Sequence, residues 1–425
     1  GGNEVKTEFS TISWMGMLFC GGIGGGIIYW SGVEWGYYVD ESLFGITPYS
    51  EEAYALSTAY GLFHWGISAW AVYAIPAVAL SISFYKYKLS TLRLSSSLRG
   101  LGLRNIENSF LGRIVDFIFV VATIGAAGGT IGSYIPMLST GYSKIFDLDS
   151  SFLVDLSVLA FCVGLFGFSV YKGLTNGIKR LSDINMILAG IFLFIVLLVG
   201  PTFEIFNSAL NGLIFMFTHF WEMSTLGITE KSDFANTWTV FYWAWWVAFG
   251  PLVALFVARI SKGRTLREVI LGMLVFGAFG SWLFFMILGG YSMDLDINKA
   301  LTVSQITGST HGDLAIASIS TMPFETLMLF LFCGITVIFV ITSYDSMSYV
   351  IAYHVQKNSS ENKDPGKYLR LFWAVVLGIL PAALIFYSSH QVALNLIILA
   401  SLPLLVIYPL MAISVFKELK VKETN

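Results

Sequence analysis

Charged side chains are scarce in this sequence. Lys, Arg, Asp and Glu make up only 12% of its 425 residues, whereas 56% are hydrophobic. Soluble domains carry about one quarter charged residues, so this composition excludes an ordinary soluble protein. The net charge of -3 comes without a basic tail or patch, and we therefore expect no nucleic-acid partner. The composition predicts an integral membrane protein whose main surroundings are the lipid bilayer.

Cysteine and histidine are also rare. Cys20, Cys162 and Cys333 all lie in apolar segments without CxxC spacing, which favours small core residues over a disulfide or a metal site. The five histidines are scattered without ligand spacing. Acidic and basic groups do not cluster as a membrane enzyme would require. We therefore expect neither an enzyme nor a protein with a bound organic cofactor.

Long apolar runs recur along the whole chain, each with the length of about 20 residues that a membrane-spanning helix needs. The segment 201–224 mixes polar and aromatic residues, which is typical of a helix in the membrane interface. We predict an all-α membrane protein with spans at 11–30, 59–85, 112–139, 151–171, 178–200, 237–260, 266–290, 325–353, 368–388 and 391–416. A single membrane domain, 1–425, then comprises a first five-helix unit, an interfacial helix with linker, a second five-helix unit and a short tail: 11–200, 201–236, 237–416 and 417–425.

Basic residues are distributed unequally between the two sides of these spans. If the N-terminus is cytoplasmic, all of the 24 Lys and Arg residues except Lys144, Lys231 and Lys299 fall on the cytoplasmic side. Positive residues accumulate in cytoplasmic loops. The sequence therefore predicts a multi-pass protein of the cell membrane with both termini in the cytoplasm.

Glycine and proline interrupt the first span of each five-helix unit, at "CGGIGGGIIYW" (20–30) and at "AFGPLV" (248–253). An odd number of spans per unit makes the second unit enter the membrane from the opposite side, which permits an inverted repeat. Interrupted helices at corresponding positions of two repeats are typical of a transporter's binding site, because unwound backbone exposes carbonyls and helix ends. Close helix packing by small residues is the alternative interpretation.

Aromatic residues crowd the segment ahead of Gly250–Pro251. In the second span, Trp65, Trp70 and Tyr73 lie on one side of the predicted helix. Rings at membrane depth can surround a quaternary ammonium or sulfonium group by cation–π attraction of about 2 kcal/mol per contact. Anchoring of tryptophans at the membrane interface is the alternative. A second set of rings is predicted to share a helical face, namely Trp238, Tyr242, Trp245, Trp246 and Phe249.

These motifs resemble the betaine/choline/carnitine transporter family. The resemblance lies in "FYWAWWVAFGPLVALFVARISKGRTLRE", "HWGISAWAVYA", "FCGGIGGGIIYWSGVEW" and "FVITSYDS", and it extends over essentially all 425 residues. It implies a five-plus-five inverted-repeat fold like that of the leucine transporter, and assembly as a homotrimer. Family members have two further N-terminal helices, which these residues do not include.

The resemblance also implies a substrate site. The family's aromatic box corresponds to Trp65, Trp70, Tyr73 and Trp246, with Trp245 lining the path and Phe249 in the place of a further tryptophan. Backbone N–H groups around Gly22, Gly24 and Gly26 are expected to bind a carboxylate. Choline carriers tend to place an Asp at the position of Gly26. We therefore expect a zwitterion such as glycine betaine, carnitine or dimethylsulfoniopropionate rather than choline.

Sodium is the coupling ion that the resemblance implies. Sodium needs several oxygen ligands in a site shielded from water. The main site corresponds to the residues Thr342, Ser343, Phe339, Cys20 and Ile23. A second site retains Thr123 but has Ala127 in place of a second threonine, which leaves the stoichiometry open. Taken alone, a Thr–Ser pair within a span bonds the carbonyl four residues earlier.

Sodium-independent exchangers of the family carry an Arg where the cation would lie, and this sequence has Met186 at that place. Sodium symport is therefore favoured over exchange. An exchanger, a choline transporter and a non-transporting sensor or inactive relative are the alternatives. The basic loop "ARISKGRTLRE" (258–268) is expected to form contacts at the cytoplasmic gate.

Overall fold

The computed structural model describes residues 6–420 apart from 22–23, 88, 90–92, 104, 150, 173, 230, 303–310, 357–364 and 387–389. Within these residues every regular element is helical and there is no β-strand. In the described part of the chain, nine helices are long and apolar enough to cross a membrane, and the number is ten if a bent pair near the N-terminus counts as one span. The predicted all-α membrane architecture is therefore confirmed.

The first five spans lie before residue 200. The bent pair, α1 and α2, forms one span with an angle of 62° between its helices, and α3 and α4 together form the span Glu51–Lys86. The helices are α1 (Thr11–Cys20), α2 (Gly24–Trp30), α3 (Glu51–His64), α4 (Ile67–Ser81), α5 (Phe110–Phe146), α6 (Phe152–Lys172) and α7 (Lys179–Val199).

Two shorter helices, α8 (Thr202–Thr218) and α9 (Phe220–Thr229), separate these spans from five more. The helices α11 to α13 join through two π-helical stretches into the single span Leu266–Ile297. The second set comprises α10 (Val240–Ile260), α11 (Leu266–Leu271), α12 (Ala278–Phe284), α13 (Gly290–Ile297), α14 (His311–Ser320), α15 (Glu325–Val355), α16 (Lys367–Phe386), α17 (His390–Ser401) and α18 (Leu404–Lys420).

The second span starts earlier than the predicted residue 59. The Ser50 side chain accepts a hydrogen bond from the Ala53 backbone N–H at 3.2 Å, and Glu51 and Glu52 follow in the first turn. A serine cap with acidic residues after it stabilises a helix N-terminus. The helix therefore begins at Glu51, in a segment whose polar residues hid it from a hydropathy criterion.

The centre of the bundle is α10. In its most apolar window 89% of the residues are buried, against 33% in α7 and 39% in α6. It packs against α4, α5, α15 and α17. The aromatic segment of the sequence therefore lies inside the protein rather than at the lipid surface.

The predicted interruption at Gly250–Pro251 is wrong, because α10 runs unbroken from Val240 to Ile260. Proline cannot donate a backbone hydrogen bond to the residue four positions earlier, which frees the Val247 carbonyl. The Tyr408 hydroxyl of α18 donates to that carbonyl at 3.4 Å. A Cβ at Gly250 would lie 1.5 Å from the same hydroxyl. The Gly–Pro pair thus admits a side chain from α18 into an intact helix.

An interruption that the sequence did not predict lies in the second span, between α3 and α4. Helix α3 ends at His64 and α4 begins at Ile67. The end of a helix leaves carbonyls without intrahelical partners. Here the Leu62 carbonyl accepts the indole N–H of Trp282 at 2.8 Å, and the His64 carbonyl accepts that of Trp246 at 2.9 Å. The break thus leaves a carbonyl free to orient the indole of Trp246, which is a predicted site residue.

Candidate functional site

Four of the predicted substrate residues form a ring cluster, which we define as Trp65, Trp70, Tyr73 and Trp246. Each of these side chains is at most 2% exposed. The Trp246 ring centroid lies 5.6 Å from that of Trp65, 6.1 Å from that of Trp70 and 5.0 Å from that of Tyr73. The rings therefore converge inside the bundle, with Trp246 in contact with the other three.

Hydrogen bonds to the surrounding helices hold the indoles of the ring cluster in place. The Nε1–H of Trp70 donates to Ser281 Oγ at 3.3 Å, and that of Trp65 donates to Glu34 Oε2 at 2.8 Å. Trp246 donates to the His64 carbonyl. Because these polar groups are already bonded, the cluster presents ring faces. Ring faces suit an apolar or cationic group that has no donor of its own.

A central cavity lies beside the ring cluster. Trp245, Phe249 and Gly26 of the predicted site line it. The Trp65 ring lies 5.3 Å from that of Trp245 and 5.6 Å from that of Trp246. Trp245 lines the cavity and Trp246 does not, although the sequence placed both on one helical face. The cavity is lined by Gly25, Gly26, Thr130, Tyr134, Trp245, Phe249, Val340, Ser343, Tyr344 and Met347.

Gly26 lies where two rings approach the backbone of α2. A Cβ at this position would lie 2.8 Å from the Trp65 ring and 3.1 Å from the Trp245 ring. A larger side chain would have to displace both indoles. Gly24 is likewise buried, against the Phe339 ring, whereas Gly22 lies outside the described residues.

Tyr134 is a cavity residue that the sequence did not indicate. Its side chain lines the central cavity, and its hydroxyl is buried without a hydrogen-bond partner among the described residues. The hydroxyl lies 3.0 Å from the position of a Cβ on Gly26. Because burying a polar group without a partner costs free energy, this hydroxyl is suited to binding an acceptor in the cavity.

The predicted sodium residues Thr342 and Ser343 meet the end of α1. Their hydroxyls lie 3.5 Å and 3.3 Å from the Cys20 carbonyl oxygen. The Thr342 hydroxyl also donates to the Ile338 carbonyl at 2.9 Å, which is the bond to the residue four positions earlier that the alternative interpretation expected. It lies 3.1 Å from the Phe339 carbonyl as well. Carbonyl and hydroxyl oxygens of two helices thus lie close together at this position. Ser343 also lines the central cavity, so this position adjoins it.

Another predicted sodium residue, Thr123, does not join this group. The Thr123 hydroxyl donates to the Phe119 carbonyl of its own helix at 2.8 Å, and it makes no hydrogen bond to the described parts of α1 or α15. Like Thr342, Thr123 thus bonds the carbonyl four residues earlier in its own helix. Ile23 lies outside the described residues.

On α7, the side chain that faces the end of α1 is Asn185, the neighbour of the predicted Met186. Met186 is 40% exposed and lies against Gly16. Asn185 is fully buried beside the Cys20 thiol, and its amide has no hydrogen bond of normal geometry within the described segments. The sequence missed it because an asparagine in an apolar span has no distinctive spacing.

Glu34 provides a buried carboxylate beside Trp65, and the sequence did not indicate it. Glu34 follows α2 and is fully buried. One oxygen accepts hydrogen bonds from Trp65 and from the Tyr242 hydroxyl, and the other accepts from the Tyr38 hydroxyl at 2.7 Å. The His64 ring nitrogen Nδ1 lies 3.5 Å from this second oxygen. An acidic residue within an apolar surrounding was the available signal.

The basic loop 258–268 contacts the segment before α1. Arg259 pairs with Glu8 at 2.9 Å. The Arg264 guanidinium lies 4.1 Å from the centroid of the Trp14 ring, and the Trp14 indole donates to Ser261 at 3.0 Å. These contacts tie the start of α1 to the end of α10, where the sequence predicted a gate.

Comparisons with known proteins agree with these observations. The family model described as BCCT, betaine/carnitine/choline family transporter, matches residues 1–424. The chain is 36% identical to a carnitine transporter of Acinetobacter baumannii, over 91% of this chain and 70% of that protein. It is 32% identical to the glycine betaine transporter OpuD of Bacillus subtilis, over 98% and 80%. The uncharacterized transporter YeaV of Escherichia coli is 35% identical over 95% and 84%. The chain therefore belongs to the betaine/carnitine/choline transporter family, and it is a membrane transporter rather than an enzyme.

Proposed function

We propose that this protein is a sodium-coupled symporter of a zwitterionic methylated onium compound of the glycine betaine, carnitine or dimethylsulfoniopropionate type. The observation that carries the proposal is the buried ring cluster, in which Trp246 contacts three other aromatic rings. A methylated cation offers no hydrogen-bond donor and is bound by ring faces. The names of the carnitine and glycine betaine transporters among its relatives support this substrate class.

The surroundings of Gly26 favour a zwitterion over choline. An Asp at this position would collide with Trp65 and Trp245, so a carboxylate of the protein has no room there. A zwitterion brings its own carboxylate, and the Tyr134 hydroxyl is an unused donor beside the same glycine. We propose that the onium group lies against the rings and that the carboxylate accepts the hydrogen bond of Tyr134.

The position of Ser343 supports coupling to sodium. Sodium bound by the Cys20 and Phe339 carbonyls and the Thr342 and Ser343 hydroxyls would place a positive charge beside the central cavity. That charge attracts the carboxylate of a zwitterion. Because coupling between two binding sites is reciprocal, each solute raises the affinity for the other. The neutral Asn185 on α7 provides no substitute cation, which favours symport over exchange.

Uptake by purified protein in liposomes tests this function. An inward sodium gradient should stimulate the uptake of radiolabelled glycine betaine or carnitine, and choline should be the weakest competitor in a panel of onium compounds. Liposomes without protein provide the background. Equal uptake after replacement of sodium by potassium would point to exchange. A panel in which choline outranks every zwitterion would point to a choline carrier.

Tyr134→Phe should raise the KM for a zwitterion about tenfold, the value of one hydrogen bond to a charged group. The inhibition constant of choline should not change, because choline has no carboxylate. Tyr60→Phe is the matched control, since its hydroxyl is also buried without a partner in the described structure but lies outside the cavity. Equal loss for choline and zwitterion would contradict the assigned role.

The orientation and assembly belong to the same proposal. We place the end of the bundle with Arg259 and Arg264 in the cytoplasm of a cell membrane, because positive residues favour that side. Both termini are then cytoplasmic. A homotrimer would require an apolar surface, and α8 exposes one to lipid or to another copy through Phe203, Phe206, Leu210, Ile214 and Phe217.

A further inference from the structure

We infer that Glu34 is a positioning and specificity-determining residue of the substrate site. Its buried carboxylate accepts hydrogen bonds from Trp65 and Tyr242, makes their rings more electron-rich, and thereby favours a positively charged head group over a neutral one of the same shape. The inference rests on the proposed function, which supplies the onium substrate. Glu34 itself does not line the cavity.

Three hydrogen bonds hold the Glu34 carboxylate against the edges of the Trp65 and Tyr242 rings. Glu34 Oε2 lies 2.8 Å from Trp65 Nε1 and also accepts from the Tyr242 hydroxyl. Glu34 Oε1 accepts from the Tyr38 hydroxyl at 2.7 Å. Three donors thus point at one fully buried acceptor group. Hydrogen bonds to an ionised acceptor are about twice as strong as neutral ones.

The surroundings of Glu34 contain little opposing charge. His64 is the single basic side chain within 4.0 Å of the carboxylate among the residues described, with Nδ1 at 3.5 Å. The same nitrogen lies 3.2 Å from the Tyr38 hydroxyl, and Nε2 lies 3.1 Å from Thr239 Oγ1. The imidazole therefore has hydroxyl partners on both sides. A neutral imidazole satisfies them without cancelling the carboxylate charge.

Trp65, which donates to Glu34, lies beside both the central cavity and the ring cluster. Its ring lies 5.3 Å from Trp245, which lines the central cavity, and 5.6 Å from Trp246 in the ring cluster. Tyr242 stacks on Trp245 at 5.9 Å. Donation of an N–H or O–H to an anion moves electron density into the ring, and the attraction between a cation and a ring depends on the negative charge of the ring face.

Glu34→Gln tests the inference, because it keeps the size and one acceptor while removing the charge. Inhibition constants are measured in liposome uptake for glycine betaine and for 3,3-dimethylbutanoate, its neutral-headed carbon isostere. We expect the preference for the onium compound to fall about fivefold, through weaker cation–π attraction. Binding of the isostere should stay unchanged. Equal weakening of both compounds, or an unchanged preference, would overturn the inference in favour of a structural tie.

Two further variants make the result decisive. Asp296→Asn is the matched control, because Asp296 accepts a tyrosine hydroxyl from Tyr54 at 2.8 Å but does not contact the rings of the site. If Glu34→Gln does not yield folded protein, Tyr242→Phe removes one donor to the carboxylate and keeps the ring. Tyr242→Phe should also lower the preference for the onium compound over its isostere, by a smaller factor than Glu34→Gln. An unchanged preference overturns the inference.

A double variant separates the action through Trp65 from any other route. In a Trp65→Phe background the N–H donor is absent, so Glu34→Gln should lower the preference less than it does in the wild type. An undiminished effect would show that Glu34 does not act through Trp65. If the wild-type protein itself does not distinguish the onium compound from its isostere, the proposed function fails, whatever the Glu34 variants do.

Discussion

Trp246→Ala should reduce the uptake of glycine betaine or carnitine about 30-fold or more, because one cation–π contact contributes about 2 kcal/mol and each 1.4 kcal/mol corresponds to tenfold. The loss of the ring also removes contacts to Trp65, Trp70 and Tyr73. Initial rates of radiolabelled uptake in liposomes measure the effect, after size-exclusion chromatography has confirmed folded protein.

The matched control for this substitution is Trp221→Ala, since Trp221 is 74% exposed on α9. Uptake by the Trp221→Ala variant should equal that of the wild type. Trp246→Phe keeps a ring but loses the hydrogen bond to the His64 carbonyl, so its rate should fall between the two. Uptake by Trp246→Ala within twofold of the wild type would be incompatible with a cation bound at the ring cluster.

The double substitution Thr342→Ala, Ser343→Ala should raise the sodium concentration for half-maximal uptake about 100-fold, if each hydroxyl contributes about 1.4 kcal/mol. Both hydroxyls face the Cys20 carbonyl, so their removal leaves the ion with backbone ligands from this group. The measurement is the dependence of initial uptake rate on external sodium at constant ionic strength. The KM for substrate at saturating sodium should change much less.

Thr336→Ala is the control within the same helix. Its hydroxyl is buried and donates to the Phe332 carbonyl at 2.7 Å, two turns before Thr342. Removing it tests whether the loss of any hydroxyl in α15 weakens transport. A sodium dependence that stays at the wild-type value in the double variant would exclude these residues as ion ligands, and uptake without any sodium requirement in the wild type would exclude symport altogether.

Local pattern in the sequence was sufficient to predict most spans. The length of an apolar run depends only on neighbours along the chain, and the ten predicted spans follow from it. The single interfacial helix predicted at 201–224 is divided into α8 and α9. The continuity of α10 could not be predicted in this way. A Gly–Pro pair normally disrupts a helix, and the tyrosine that satisfies the freed Val247 carbonyl is 161 positions further along the chain.

The candidate site was likewise predicted only in part. Spacing and resemblance indicated the rings, because Trp65, Trp70, Tyr73 and Trp246 lie in sequence motifs that resemble those of the family. The sequence did not indicate Glu34, Tyr134 and Asn185, because their importance depends on burial and on neighbours from remote helices. An isolated Glu or Tyr has the same appearance in a sequence whether water or an indole surrounds it. Thr123 was included through resemblance alone, and its hydroxyl bonds within its own helix.

The break between α3 and α4 makes Trp246 sensitive to helix motion. The indole is held by the carbonyl of His64, the last residue of α3, while Trp70 and Tyr73 belong to α4. If the two half-helices pivot about Gly66, the indole cannot keep its bond to one half and its ring contacts to the other. A pivot at this break would therefore separate Trp246 from part of the ring cluster, and under the proposed function it would weaken substrate binding in the same movement.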